Sequence, residues 1–482
     1  MRSFAPFSFA RLSQTGGAYV SQIKDEAPET DYGTYLLRSD APFYVSGGTW
    51  PFAGLGTGMS ISFGAAVSAC GCDDVDLIAP LMSVQDALTA GLALVDPLRE
   101  VEELDLTAAK GRVLARSVRA GTDMPGFDNS GMDGYALSVG ADGQAVPLVL
   151  PVQGVSAAGT AVADLAPGTA MRIYTGAPVP RGADAVVMQE RTEQRGDGIA
   201  VLSLPTLGEN IRLQGEDVKL GDVVLKAGTQ LDAKTIAACA GAGAGRVRVV
   251  RKLRVALVLT GDELAPAGAA LDSGAIWDVN TPMLSAMIAG DLAEIVGVHY
   301  VADELGSMVA ALDGLAGSVD LIVTSGGVSV GDRDHVKPAL RNLGAQVAVS
   351  GVAIKPGKPI TLSRLGDTAV VSLPGNPVSA YVTWTVFGAP IAARLSGVAQ
   401  GGPKPRRVRA DTDLRHKPGR AEYRPARITG YGSDGLEVVS SGTATHSAQL
   451  APLAVADGLV LIPGETERLE QGDLLEFLPF QA

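Results

Sequence analysis

The chain has 482 residues, 46% of them hydrophobic and 5% aromatic, with 60 glycines and 28 prolines, which predicts a globular, multi-domain α/β protein rich in tight turns. A formal net charge of −13 excludes the broad basic surface that wraps nucleic acid, and no apolar run is long enough to span a membrane. Three cysteines and four scattered histidines show neither a disulfide framework nor zinc spacing, so a reducing, cytoplasmic setting is expected.

Residues 1–80 hold many of the aromatics and two cysteines without sustained periodicity, and read as an appendage: a small accessory segment or a mis-set start. Ordered pattern begins at Met82, where Ser83 offers an N-cap and Val84, Ala87, Leu88 and Leu92 fall at helical spacing. A second helix-like run covers Leu106–Arg116, and the polar, glycine-rich stretch Met124–Tyr135 reads as a functional loop. Short alternating apolar runs from Val146 to Leu202 predict a small inserted β-domain, and helix returns at Ala233–Ala242. The N-terminal helical module is therefore expected over 81–250, carrying a β lid at about 123–220. Residues 251–397 alternate strand and helix and predict a parallel, doubly wound sheet, with its ligand site beyond the strand C-termini. Residues 398–482 are short-stranded and turn-punctuated, as in a compact β-barrel or β-sandwich.

Chemistry concentrates at the strand ends. The sharpest junction is TSGGVSVGDRD at Thr324–Asp334: a buried strand delivers Ser325, Gly326 and Gly327 into a turn that suits an anion, with Asp332 and Asp334 close behind. TGDEL places Asp262 and Glu263 at the end of the Val255–Leu259 strand, and Asp303 ends another, positions that serve either as Mg²⁺ ligands or as helix caps. Asp278 and Asn280 in WDVN are expected to cap the helix that starts at Thr281. KPGKP sets Lys355 and Lys358 around a proline-fixed turn, and LPGNPVSA places Asn376 and Ser379 before an apolar helix, each a candidate for a compact oxyanion. Two lid motifs, FDNSGMDGYA with Asp133 and GENIRLQGEDV with Arg212 and Asp217, are either turn chemistry or ligand contacts. GRAEYRPAR adds Arg420, Arg424 and Arg427 as possible oxyanion donors.

Taken in order, these motifs resemble the bacterial molybdopterin molybdenumtransferase (MoeA) family, related to the gephyrin E domain, over about residues 81–482. The resemblance implies four parts: a helical module, an inserted β lid, a MoaB-like doubly wound α/β domain and a C-terminal β-barrel. It implies insertion of molybdenum from molybdate into adenylylated molybdopterin, with release of AMP and a requirement for Mg²⁺. Carried over position by position, Asp133, Asp217, Glu263, Asp303 and Asp334 would be catalytic, and Asp262, Glu263, Asp303 and Asp334 would hold Mg²⁺. Thr324, Ser325, Gly326, Gly327, Ser329 and Arg212 would bind the pterin and AMP phosphates, and Lys355, Lys358, Ser379, Arg420 and Ser447 the molybdate. It further implies a homodimer in which Asp133, Arg212 and Asp217 approach the partner's site. Contacts with a molybdopterin adenylyltransferase and with recipient molybdoenzymes are also implied. The chain departs from the family at Pro425 after Tyr423 and Arg424, at Gly351, and in the loose segment around Ser447. An adenylyltransferase and a gephyrin-like scaffold share this sheet chemistry; the lid and barrel count against the first, the intact carboxylates and lysines against the second.

Overall fold

The computed structural model describes residues 81–140, 145–161, 163–328, 334–399, 404–442 and 447–480. The expected appendage at 1–80, Ser329 and Asp332 lie outside the described residues.

Ser83 caps the first helix, Val84–Ala93, by accepting the Asp86 amide at 3.1 Å. That helix packs on the α/β sheet: Ala87 and the following Leu94 and Val95 share a core with Leu253, Leu257 and Leu373. The remainder of the first module is a ribbon of Val101–Asp105 antiparallel to Arg246–Val250, packed with the helix Ala233–Gly241 around Leu114, Leu231 and Cys239. Asp232 and Thr235 close a reciprocal capping box at the start of that helix.

Leu106–Arg116 is not a helix beyond the single 3₁₀ turn Leu106–Ala108. Gly111 takes the left-handed conformation at φ 74°, where a side chain would strike Asp291, and the chain turns there. Arg112 is then buried, donating to Glu102 Oε1 at 3.1 Å and to the Val250 carbonyl at 2.9 Å. Apolar spacing alone does not register such a turn.

The lid is a six-stranded sheet in the order Ala185–Met188, Gly134–Leu137, Ala170–Ile173, Leu148–Ser156, Gly198–Val201, Thr192–Arg195. Tyr135, Leu137, Ile199 and Val201 lie in its core.

The α/β domain has a sheet in the order Ala293–Val301, Leu253–Thr260, Leu321–Ser325, Thr368–Leu373, Thr361–Leu365, Gln346–Ser350. The first four strands run parallel; Thr361–Leu365 and Gln346–Ser350 pair antiparallel, so the sheet is mixed at one edge. Its central strands are buried on both faces, which is why they read as continuous apolar runs. Alternation along Leu253–Thr260 sends Val255, Leu257 and Leu259 to one core and Ala256 and Val258 to the other.

At the antiparallel edge the chain leaves the sheet at Ser350 and returns at Thr361, and this excursion carries KPGKP. Within it, Ile354–Lys355 pairs in parallel with Ala421–Glu422 of the C-terminal domain. That domain is a closed five-stranded barrel, in which Ala421–Tyr431 pairs with both Glu437–Ser441 and Gly458–Ile462, while Arg406–Ala410 and Leu474–Pro479 complete the circuit. Val408, Val460, Ile462 and Phe477 fill it. Tyr423 and Leu459 on its wall belong to the core of the α/β domain, so barrel and sheet share buried surface.

Candidate active site

The C-terminal ends of the four parallel strands meet in a row. Thr260 Oγ1 donates a short hydrogen bond to Asp303 Oδ1, and the Asp303 amide donates to Asp262 Oδ1 at 3.4 Å. These contacts tie two strand ends together through carboxylates. Gly326, at φ 92°, lies so close to the next strand end that a methyl group there would fall 2.5 Å from the Thr260 carbonyl oxygen. Gly375 touches Gly326 in turn, its Cβ position standing 3.5 Å from the Gly326 Cα. Glycine is required at the centre because three backbones approach one another without room for side chains.

Individual donors are deployed differently from a simple anion cradle. The Gly326 amide donates to the Leu373 carbonyl at 3.2 Å, closing the sheet end. Ser325, buried, accepts from Asn280 Nδ2 at 2.9 Å. Thr324 is fully buried and its hydroxyl has no hydrogen-bond partner. Glu263 turns its carboxylate over Gly261, with Oε2 3.1 Å from that glycine's Cβ position. Asp334 stands near Lys337, whose pKa is lowered by burial while the Asp334 charge opposes the shift. Among the described residues no three His, Cys, Asp or Glu side chains converge as a metal cluster. Asp262, Asp303 and the Thr260 hydroxyl nonetheless form an all-oxygen set, and Mg²⁺ is commonly held by one or two carboxylates plus substrate phosphates.

The row continues toward the barrel. KPGKP packs on the helix Pro377–Thr383: Gly357, at φ 110°, places its Cβ position 2.2 Å from Thr383 Cγ2 and 3.7 Å from the Ser379 carbonyl oxygen. Ser379 is buried within that helix. Ser447, from the barrel domain, accepts from Asn376 Nδ2 at 3.1 Å through its hydroxyl and from the Val378 amide at 3.0 Å through its carbonyl. Lys358 and Arg420 are half-buried beside these elements.

Behind Lys355 lies a charged network that the sequence did not announce. Glu422 is fully buried and places Oε1 3.5 Å from Lys355 Nζ, and Arg424, also buried, donates from Nη2 to Glu422 Oε2 at 3.0 Å. Arg424 also donates to the Arg415 and Gly442 carbonyls. His416 Nε2 stands 3.8 Å from the same carboxylate, while His416 Nδ1 makes a 2.6 Å bond with the Thr466 carbonyl. Glu422 and Arg424 neutralise each other, so the Lys355 ammonium, about a third exposed, adds a positive charge at the rim. In sequence, Glu422 is one acid among three arginines, and nothing in its spacing distinguishes a buried carboxylate from a solvated one.

The lid motifs come together with each other. Asn129–Ser130 pairs with Ile211–Arg212, and the Gln214 amide donates to Asp128 Oδ1 at 2.7 Å, joining FDNSGMDGYA to GENIRLQGEDV. Asp133 accepts from the Thr175 amide at 2.7 Å and the Thr175 hydroxyl at 2.9 Å, and these bonds hold its carboxyl below the usual carboxylate range. Arg212 donates to Glu216 at 2.8 Å, and Asp217 is exposed. The bonds of Asp133 and Arg212 thus stay within the lid.

This architecture, with reactive groups gathered beyond the C-termini of parallel strands and a lysine turn stitched onto a barrel, defines a multi-domain α/β enzyme. Three family profiles match in succession: the MoeA N-terminal region (domain I and II) over residues 82–243, a probable molybdopterin binding domain over 256–394, and the MoeA C-terminal region (domain IV) over 407–480. The chain is 37% identical over 402 residues to a molybdopterin molybdenumtransferase of a Nostoc species, covering 80% of this chain and 91% of that protein. It is 40% identical over 303 residues to that of Haemophilus influenzae, covering 62% of this chain and 74% of the relative. The molybdopterin biosynthesis moeA protein of Pyrococcus horikoshii has a solved structure that superposes with a TM-score of 0.71 at 27% identity, over 83% of this chain and 100% of that one. The chain belongs to the molybdopterin molybdenumtransferase (MoeA) family.

Proposed function

We propose that this protein transfers molybdenum from molybdate to adenylylated molybdopterin, releasing AMP and forming molybdenum cofactor. The observation that carries the reading is a run of neighbours, Asp303 on Thr260, Thr260 against Gly326 and Gly326 against Gly375, which continues along the chain into the helix Pro377–Thr383 on which the Lys355 turn packs. It sets a carboxylate pair, a glycine turn and a lysine turn along one edge, in the order that a phosphoanhydride and an oxyanion would need to lie.

On this reading the glycine turn at 325–327 seats the pterin phosphate, aided by Thr324 and Ser329. Lys355, Lys358, Ser379, Arg420 and Ser447 receive molybdate, a tetrahedral dianion that matches clustered cationic and hydroxyl donors. Asp262 and Asp303, with Glu263 and Asp334 along the same edge, would hold Mg²⁺, which supplies charge neutralisation at the phosphate linkage. The chain's own contribution is positioning and charge stabilisation: water or a molybdate oxygen bonds to the pterin phosphorus as the bond to AMP breaks and AMP leaves, and the two dithiolene sulfurs replace one oxygen on molybdenum, which departs with the thiol protons as water. Asp133, Arg212 and Asp217 would complete the site of the partner in a homodimer, which accounts for lid groups bonded only within the lid.

The test is AMP release from adenylylated molybdopterin by purified protein with Mg²⁺, with and without molybdate, beside an Asp303→Asn variant. Molybdate-dependent release, reduced about a hundredfold or more in the variant, is expected. Release indifferent to molybdate, or untouched by the substitution, overturns the reading.

A further inference from the structure

Asn280 does not cap the helix it begins. The capping acceptor for Asn280–Ile288 is Asp278, whose Oδ1 takes the Thr281 amide at 3.0 Å while its Oδ2 takes the Tyr300 hydroxyl at 2.9 Å. Asn280 instead turns inward, is 8% exposed, and uses its amide nitrogen twice: to Ser325 Oγ at 2.9 Å and to the Gly375 carbonyl at 2.7 Å. A carbonyl oxygen only accepts, so the contact with Gly375 fixes which end of the amide faces the turns. The other end, Oδ1, is buried without a partner.

Those two bonds reach two separate strand ends. Ser325 closes the Leu321–Ser325 strand, and Gly375 follows Thr368–Leu373. The glycine turns after them are neighbours at Gly326 and Gly375, and beside the Gly326 amide bond to the Leu373 carbonyl a single side chain from a third element ties both strand ends. An apolar residue here would leave the Gly375 carbonyl and the Ser325 hydroxyl without these donors, so the asparagine ties both turns at the cost of one orphaned acceptor.

We propose that Asn280 is a positioning residue that clamps the two glycine turns into one phosphate-binding cradle. This rests on the reading of the 325–327 turn as the seat of the pterin phosphate. Because Asn280 bonds to the glycine turns and reaches the helix that carries Ser379 only through Gly375, its removal is expected to weaken pterin binding more than molybdate binding.

Asn280→Ala removes both donors, and Asn280→Ser keeps one hydroxyl at similar polarity. For Asn280→Ala the KM for adenylylated molybdopterin is expected to rise about tenfold, with the KM for molybdate within about twofold of wild type; the serine variant falls between. Binding of molybdopterin itself, followed by calorimetry without turnover, should weaken in the same order. Lowered thermal stability with an unchanged pterin KM and unchanged molybdopterin affinity makes Asn280 merely structural and overturns the proposal, as does an equal loss for both substrates. Wild-type protein that binds no molybdopterin overturns the seat itself, an outcome distinct from tight binding by both wild type and variants, which removes only the clamp.

Discussion

Glu422 is fully buried between Arg424 and Lys355, and its worth depends on what removing it would leave behind. Glu422→Leu strands the buried Arg424 guanidinium without its counter-charge and is expected to destabilise the protein by about 3–5 kcal/mol, read from urea unfolding. Glu422→Gln, which can still accept from Arg424, should cost about 1–3 kcal/mol by the same measurement. Asp133 presents the opposite case, an exposed carboxylate whose pKa is lowered by the Thr175 amide, then by its hydroxyl. Since the folded pKa lies below the unfolded one, the anchoring is complete above the ordinary carboxylate range and is lost as pH falls through the depressed value. The protection factor of the Thr175 amide should fall on acidification through that range, and in Asp133→Asn this pH dependence of protection should vanish. The identities of both acids were legible in the sequence, but their surroundings were not, because burial is set by strands far apart in the chain.

At the scale of elements, the glycine turn after Leu321–Ser325 shows how tightly the strand ends are fitted. Gly326→Ala sets a methyl group 2.5 Å from a backbone oxygen at a φ of 92°, so neither neighbour nor backbone conformation accommodates it. A loss of about 2 kcal/mol or more is expected in urea unfolding, together with impaired pterin binding. Most elements were legible: the Ser83 cap, the alternation of strand and helix after residue 251, and the all-β character of the C-terminal region follow from local pattern. Leu106–Arg116 was misread because Gly111 turns the chain inside an apolar period. The antiparallel edge was missed for a related reason: a strand's direction is decided by the path of its connection, and residues 351–360 detour to the barrel before returning.

For the whole molecule, shared burial binds the parts more closely than four linked modules would suggest. Ala87, Leu253, Leu373, Tyr423 and Leu459 lie in one core although they come from the first helix, the sheet and the barrel. A fragment of residues 251–397 alone would expose these faces and is expected to bind a hydrophobic dye and unfold without a sharp transition, whereas within residues 81–480 the first helix, the sheet and the barrel wall that share this core are expected to unfold together. If lid and sheet act across a homodimer, mixing Asp217→Ala with Asp303→Asn should restore about a quarter of the wild-type rate, because half the dimers formed are mixed and each retains one intact site. Restoration only in cis, with no recovery on mixing, would place both sets in one subunit. By itself the sequence determined which residues can carry chemistry and most of the strands, helices and turns, Leu106–Arg116 excepted, since these follow from side-chain type and period. Only the tertiary structure decided that Asn280 bridges two turns, that Glu422 is a buried counter-charge and that Ile354–Lys355, at the start of the lysine turn, pairs with a barrel strand, because each depends on long-range contacts that local spacing does not encode.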